Sequence, residues 1–494
     1  ENWNIAIKLK PDYIEAYNNR GKLLFEMGKN ADALQSFEKA IELKPDFAEA
    51  YNNQGNALFR LKKIDDALKS YEKAIELRPD YAMAHNNKGN TLFELKKYEA
   101  ALESYEKAIE LKPDYSDAYN NRGNSLWKLK KINGALESYK KAIKLKPNHS
   151  KAHNNFGMAL HKLKKYEAAL ESYERAINFN PEYAEAHYNK GNMLFELEKI
   201  NESLESYERA IKFKPDYAEA YFNKASVLLA ANANEEALDI YKKVLEIKPD
   251  FETLSSSIMY AKLKLCDWKN FDKDLENLKD ATVDSKKKTN PHSLLFSYDS
   301  LKVQKSAAKK WSDKMVSFTL NQKQYQFRKP LNFKEDLNLI TKKEMNKKIK
   351  IGYFSADLRN HAVGNLIVNL FELHDKSKFE IFVFYFGPDV SDDIYKRISN
   401  AADKFINVTL KSEAEIVQLS RDLGIDIAVD LMGYTIRNRF KIFVERCAPL
   451  QVSYLGYPGT TGAECIDYII ADKVLIPKEN QPYYSEKIIY LPNT

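Results

Sequence analysis

His361 closes the run Ser355-Ala356-Asp357-Leu358-Arg359-Asn360-His361, directly after an apolar stretch that ends at Phe354. An imidazole placed there can take a proton from an attacking hydroxyl near neutral pH. It can equally do no more than bond its own loop. Asp430 ends a second apolar stretch; it could orient that base or share its work, or it could cap the helix that follows. Tyr434 and the run Gly456, Tyr457, Pro458, Gly459 and Thr460 follow two apolar stretches in the same way. They could shape a pocket, and loop structure alone would account for them equally well. A second set of candidates recurs at one spacing: Asn19, Asn53, Asn87, Asn121, Asn155, Asn189 and Asn223. Each asparagine offers an amide donor and a carbonyl acceptor, the complement of one peptide unit. A row of them can grip an extended backbone without reading its side chains. The alternative is that they bond only to neighbouring helices.

Other chemistries find little support. No G-x-G-x-x-G follows the first apolar stretch of the second half, and no G-x-x-x-x-G-K-[ST] occurs, which disfavours dinucleotide and P-loop folds. The one D-x-D, Asp272-Lys273-Asp274, falls in a helical pattern, so a metal-dependent sugar transfer is not expected and no metal site is assigned. The three cysteines, Cys266, Cys447 and Cys465, are far apart and suit a reducing, cytoplasmic setting. The longest apolar run, Phe379 to Phe386, is too short to span a bilayer. The chain begins at Glu1 rather than at a methionine and reads as a piece of a longer one.

The asparagines are positioned by a repeat. Prolines stand at 11, 45, 79, 113, 147, 181, 215 and 249, each 34 residues after the last, and 34 is the tetratricopeptide period. Counting from the third residue after each proline, the eighth position is Gly21, Gly55, Gly89, Gly123, Gly157, Gly191 and then Ala225. The twenty-fourth is Phe37, followed by Tyr71, Tyr105, Tyr139, Tyr173, Tyr207 and Tyr241. The small residues let two helices cross closely, the aromatic fills the space between one pair and the next, and proline ends the second helix. Seven full repeats and a partial one fill residues 1–251. Stacked pairs imply an α-solenoid, a superhelix with a concave face suited to another chain. With repeats about 10 Å apart, each asparagine would meet about every third residue of an extended peptide.

Residues 252–348 lose the period and read as degenerate helices and a connector, polar near Asp284–Asn290 and again at Asn321–Lys329. Between Glu252 and Lys350 there are 22 Lys and Arg against 12 Asp and Glu, a surplus of ten in a chain of net charge +7. A basic connector could gather an anionic substrate, although a solvated lysine-rich surface explains it too. Nothing points to nucleic acid.

From residue 349 to 494, short apolar runs alternate with amphipathic stretches. Strands are expected at Ile349–Phe354, Glu380–Phe386, Lys404–Val408, Asp426–Leu431, Leu450–Leu455, Tyr468–Ala471 and Lys487–Tyr490. Helices are expected at Val363–His374, Asp392–Ala402, Glu413–Leu423 and Arg437–Arg446. This alternation predicts a parallel, doubly wound α/β sheet with ligands beyond the carboxyl ends of its strands. His361, Asp430, Tyr434 and the Gly456–Thr460 run all fall at such ends.

Several ordered motifs, Cys266-Asp267-Trp268, Asn290-Pro291-His292-Ser293, Gly352-Tyr353, Ser355-Ala356-Asp357, Asn360-His361, Met432-Gly433-Tyr434-Thr435 and Leu455-Gly456-Tyr457-Pro458-Gly459-Thr460, resemble the O-linked N-acetylglucosamine transferases. Asp467-Tyr468-Ile469-Ile470 and Tyr484-Ser485-Glu486-Lys487 continue the likeness, which takes in the repeats as well. The resemblance implies a Rossmann-like first half of a GT-B-type glycosyltransferase. Such an enzyme moves N-acetylglucosamine from UDP-GlcNAc to Ser or Thr hydroxyls of proteins, without a metal. It implies His361 as the catalytic base and the asparagine series as a peptide-binding ladder. Ala362 stands where many members have proline. Members continue into a second Rossmann-like half that supplies most contacts to UDP, so residues 1–494 alone are expected to transfer no sugar. The rivals are a related enzyme moving fucose from GDP-fucose, and a repeat scaffold with a decayed catalytic domain.

Overall fold

The computed structural model describes residues 2–283, 289–297, 299–320, 348–435 and 437–492. The polar stretches expected at Asp284–Asn290 and Asn321–Lys329 lie outside them, apart from Thr289 and Asn290. Two compact units are present, Glu1–Met193 and Leu194–Thr494.

The first unit is a row of antiparallel helix pairs. A 13-residue helix is followed by a three-residue turn and a 14-residue helix, as in Ala48–Arg60 with Ile64–Leu77 and Ala82–Glu94 with Tyr98–Leu111. The repeating glycine sits under the repeating aromatic of its own pair. A Cβ on Gly55 would lie 2.6 Å from a carbon of Tyr71, and one on Gly123 would lie 2.5 Å from Tyr139. The aromatic therefore locks the two helices of one repeat, which the sequence reading had placed between repeats. It reaches the next repeat as well: Tyr139 packs with Ala159. The Tyr71 and Tyr105 hydroxyls donate to Asn56 and Asn90 Oδ1, both at 2.8 Å. The turn carries one left-handed residue per repeat: Gly28 in the first, then Lys62, Lys96, Lys130 and Lys164 at φ +59° to +62°.

The second unit begins within the helix Ala184–Glu196, not at the composition breaks expected at 251 and 348. The reason is packing. Leu254 and Ala261 of the helix Leu254–Lys264 bury against Ala237 and Tyr241 of the preceding repeat. At the far end of the connector, Ala308, Trp311 and Met315 of the helix Leu301–Leu320 join the core under the sheet. The connector thus fuses the last repeats to the α/β part.

That part holds seven parallel strands: β1 (Ile349–Ser355), β2 (Phe379–Tyr385), β3 (Lys404–Asn407), β4 (Ile427–Asp430), β5 (Leu450–Tyr454), β6 (Tyr468–Ala471) and β7 (Lys487–Tyr490). Their order is β3-β2-β1-β4-β5-β6-β7, so the chain reverses direction across the sheet between β1 and β4. Alternation along β1 and β2 feeds two cores. Phe354 stacks on its register partner Phe384 on one face, with centroids 4.3 Å apart. Ile351, Tyr353, Ile381 and Val383 meet Val363, Ile367 and Phe371 of the helix Ala362–Leu373 on the other. Strands buried on both faces explain their near-continuous apolar runs.

Three of the expected helices form within a residue or two of their predicted bounds, as Ala362–Leu373, Asp393–Ala401 and Glu413–Asp422. The fourth, Arg437–Arg446, shrinks to Lys441–Val444. Arg437 and Arg446 both adopt left-handed backbone, and Asn438 Nδ2 donates to the Thr435 carbonyl at 2.7 Å, a turn that precedes the helix. A propensity reading does not see these tertiary anchors.

Candidate functional site

The loop after β1 is built to hold His361 in place. Ser355 Oγ accepts the Asp357 N–H at 2.9 Å, and Asp392 Oδ2 accepts the Asn360 N–H at 2.8 Å. Asp392 also caps the helix it precedes, through the Tyr395 N–H at 2.9 Å, so one carboxylate fixes two segments. Gly364 packs so closely below the loop that a Cβ there would lie 2.1 Å from the Arg359 carbonyl oxygen. His361 itself is the N-cap of Ala362–Leu373: its Nδ1 accepts the Val363 N–H at 3.3 Å. A side-chain cap of this kind satisfies one of the helix's orphan donors.

His361 opens onto a cleft of about 790 Å³ shared with Asp357, Arg359, Arg437, Gly456 and His292. Its side chain is 41% exposed, and its Nδ1 lies 3.8 Å from Asp357 Oδ2. The cleft stands beyond the carboxyl ends of the paired strands β1 and β4, where the chain reverses direction across the sheet, the place at which open parallel sheets bind ligands. Burial pushes the Asp357 carboxyl up from its ordinary value, while the charges of His361, Arg359 and Arg437 pull it back. Burial pushes the His292 imidazole down. On the far wall stand Phe195, Ile200 and Glu198, and Glu198 pairs with Arg437 at 2.5 Å.

The other expected site residues divide. Gly456 lines the cleft, and its lack of a side chain is required: a Cβ would lie 1.7 Å from the Leu431 carbonyl oxygen. Asp430 does not reach the cleft. It is 2% exposed, and its carboxylate accepts the Met432 N–H at 2.9 Å and the Gly433 N–H at 3.2 Å. Its carboxylate holds the turn after β4, whereas the helix that follows begins only at Lys441. Tyr434, Tyr457 and Thr460 are likewise buried rather than at the cleft surface. The Tyr434 hydroxyl donates to the Thr461 carbonyl, and Thr460 Oγ1 donates to Glu486 Oε2 at 2.7 Å. Glu486 also takes the Thr461 N–H and hydroxyl, so it anchors the whole loop from within. The Pro458 carbonyl accepts the Tyr484 hydroxyl at 3.2 Å, and a Cβ on Gly459 would press on Leu295. Apolar side chains at strand ends turn toward the core, and this loop's threonines turn toward a buried carboxylate.

Asp357, Arg359, Arg437, His292 and Glu198 were not singled out as site residues from the sequence. Asp357 and His292 did sit inside motifs of the family likeness. Glu198 carried a fainter signal, since it replaces the lysine found at its repeat position in the four repeats before it.

The repeating asparagines bond between repeats. Asn53 Nδ2 donates to Asn18 Oδ1 at 3.0 Å, and Asn189 Nδ2 to Asn154 Oδ1 at 3.0 Å. Asn87, Asn121 and Asn155 each use their amide twice, for example Asn121 to Asn86 and Asn90 Oδ1 at 3.1 and 3.0 Å. The amide donors of Asn87, Asn121 and Asn155 are therefore spent within the array; each of their carbonyls already accepts the amide of the asparagine before it, at 3.3–3.5 Å, and keeps one lone pair for a further donor.

Residues 265–494 match glycosyl transferase family 41, and tetratricopeptide-repeat families match segments between residues 21 and 251. Over residues 265–494, just under half of its length, the chain is similar to glycosyl transferase family 41. A probable UDP-N-acetylglucosamine–peptide N-acetylglucosaminyltransferase of Arabidopsis thaliana, SEC, is 36% identical over 147 residues, 30% of this chain and 15% of that relative. The UDP-N-acetylglucosamine–peptide N-acetylglucosaminyltransferase of Caenorhabditis elegans is 29% identical over 237 residues, 47% of this chain and 20% of that relative. The matches thus take in a fifth or less of each relative's own length. A solved O-GlcNAc transferase mutant of Thermobaculum terrenum aligns over 76% of this chain and 57% of its own, at 20% identity and a TM-score of 0.35. His361 lies inside the matched region, as does the cleft's lining apart from Phe195, Glu198, Ile200 and Ala230. Among the described residues, no group of three or more His, Cys, Asp or Glu could hold a metal, and no helix is long and apolar enough to cross a membrane.

Proposed function

We propose that this protein transfers N-acetylglucosamine from UDP-GlcNAc to Ser or Thr hydroxyls of proteins engaged by its repeats, with His361 as the base. One observation carries the reading: a half-exposed imidazole at the carboxyl end of β1, beside a cleft at the switch point of the sheet. The hydroxyl oxygen attacks the anomeric carbon as its proton passes to the imidazole, and the bond from that carbon to the diphosphate breaks, the diphosphate leaving with the electron pair. Arg359 and Arg437 in the same cleft supply positive charge toward a diphosphate-bearing donor. Asn53, Asn87, Asn121, Asn155 and Asn189, with Asn19 and Asn223, would meet an acceptor chain through carbonyl oxygens that accept its backbone N–H groups. Cys447 and Cys465, buried and unpaired, suit a cytoplasmic enzyme.

The test uses the protein expressed from its complete gene, given radiolabelled UDP-GlcNAc or GDP-fucose and a library of Ser/Thr peptides. Label from UDP-GlcNAc on peptide, lost in His361→Asn, is expected. Label from GDP-fucose alone, or unchanged transfer in the variant, sinks the proposal.

A further inference from the structure

Nδ1 of His361 faces two groups with opposite demands. The Val363 N–H donates to it, which requires a lone pair on that nitrogen. Asp357 Oδ2 lies 3.8 Å from the same atom, and a bond to that oxygen requires a proton there. The ring cannot satisfy both. While Nδ1 caps the helix, a neutral imidazole carries its proton on Nε2, and Nε2 then has no lone pair for a hydroxyl proton. Nε2 becomes basic only in the tautomer with the proton on Nδ1. Asp357 is placed to favour that tautomer. Its side chain is 15% exposed, and among the described residues its carboxyl oxygens accept no hydrogen bond.

We infer that Asp357 is the positioning residue for His361, drawing the Nδ1 proton away from the helix cap and leaving Nε2 free to take the acceptor hydroxyl's proton. This rests on the reading of His361 as the base. The present 3.8 Å is longer than an N–H···O bond, so the ring tilts from Val363 toward Asp357 as it changes state. When the hydroxyl proton arrives on Nε2, the Nδ1 proton stays in its bond to Asp357, whose charge stabilises the imidazolium. The other titratable groups around the pair are Arg359 and Arg437, which act on Asp357, Asp392, which bonds the Asn360 N–H and acts with Arg359, the Tyr385 hydroxyl, Glu198, which pairs with Arg437, and His292 across the cleft.

The test is Asp357→Asn, which keeps the shape and removes the charge, in the protein from the complete gene. With ¹⁵N-labelled histidine and His361→Ala to assign the signal, the variant is expected to deplete the Nδ1–H tautomer of His361. The kcat falls at least about tenfold while KM stays within about twofold. Asp357→Glu restores part of both. An unchanged tautomer in Asp357→Asn and in a second variant, Asp357→Ser, overturns the inference even where His361→Ala abolishes transfer. Undiminished transfer in His361→Ala instead removes the base itself, which separates the two failures.

Discussion

Replacing Asp430 by asparagine should stabilise the protein at neutral pH and leave its chemistry intact. Burial pushes the Asp430 carboxyl up from 3.8 to about 6, against the pull of the Met432 and Gly433 N–H groups. A carboxyl with a raised folded pKa is worth most below its unfolded pKa, and its contribution is lost as pH rises through the folded value. The window is therefore about pH 4 to 6, and above it the folded state carries a buried anion. The shift of roughly two units amounts to about 3 kcal/mol at about pH 7.5 and about 1 kcal/mol at about pH 4.5. Asparagine keeps a carbonyl for both N–H groups and never ionises. Its amide needs an acceptor, as the protonated acid's hydroxyl also does, and that cost is common to both at low pH. Equilibrium urea unfolding at the two pH values should therefore show Asp430→Asn gaining about 2 kcal/mol more at the higher one. A variant equally destabilised at both would refute the reasoning, and so would a loss of sugar transfer in a fully folded variant, which would restore Asp430 to the chemistry.

His361 has two duties that substitution can part. His361→Asn keeps a side-chain cap for Val363 and should unfold within about 0.5 kcal/mol of the parent, whereas His361→Ala should lose about 1 kcal/mol; both should lose about 10²- to 10⁴-fold in transfer rate. Thermal unfolding and steady-state rates read the two effects separately. In the repeats, Gly89→Ala places a Cβ 2.6 Å from Tyr105. The better helix propensity returns about 1 kcal/mol and overpacking costs up to about 3 kcal/mol, for a net loss of about 1–2 kcal/mol in urea unfolding. Ala225 stands at the equivalent place opposite Tyr241, which caps the penalty by showing that the ring can give way. Lys96→Gly should stabilise by about 1 kcal/mol, because Lys96 holds φ +60° where Gly28 stands in the first repeat; an unchanged or lower midpoint would contradict it.

The sequence by itself determined the helix array. Helix pairs make their contacts at short range, so each 34-residue unit carries its own instructions in Gly55 and Tyr71 or Gly89 and Tyr105. It also determined the central strands, because β1, β2 and β4 are buried on both faces and read as near-continuous apolar runs. His361 was legible as the histidine that closes the run after the first strand. What only the tertiary structure decided was which way the loop side chains turn. Asp430 and Thr460 occupy strand ends just as His361 does. Yet backbone N–H groups claim the first and a buried glutamate, 26 residues further along the chain, claims the second. The cleft's Arg437 took its place because a left-handed residue broke a helix that its sequence favours, and Glu198 joined it from a repeat turn more than 230 residues earlier. Hydrogen-bond partners so distant along the chain leave no local pattern, and the competition between Val363 and Asp357 for one imidazole nitrogen exists only once the fold has brought the three together.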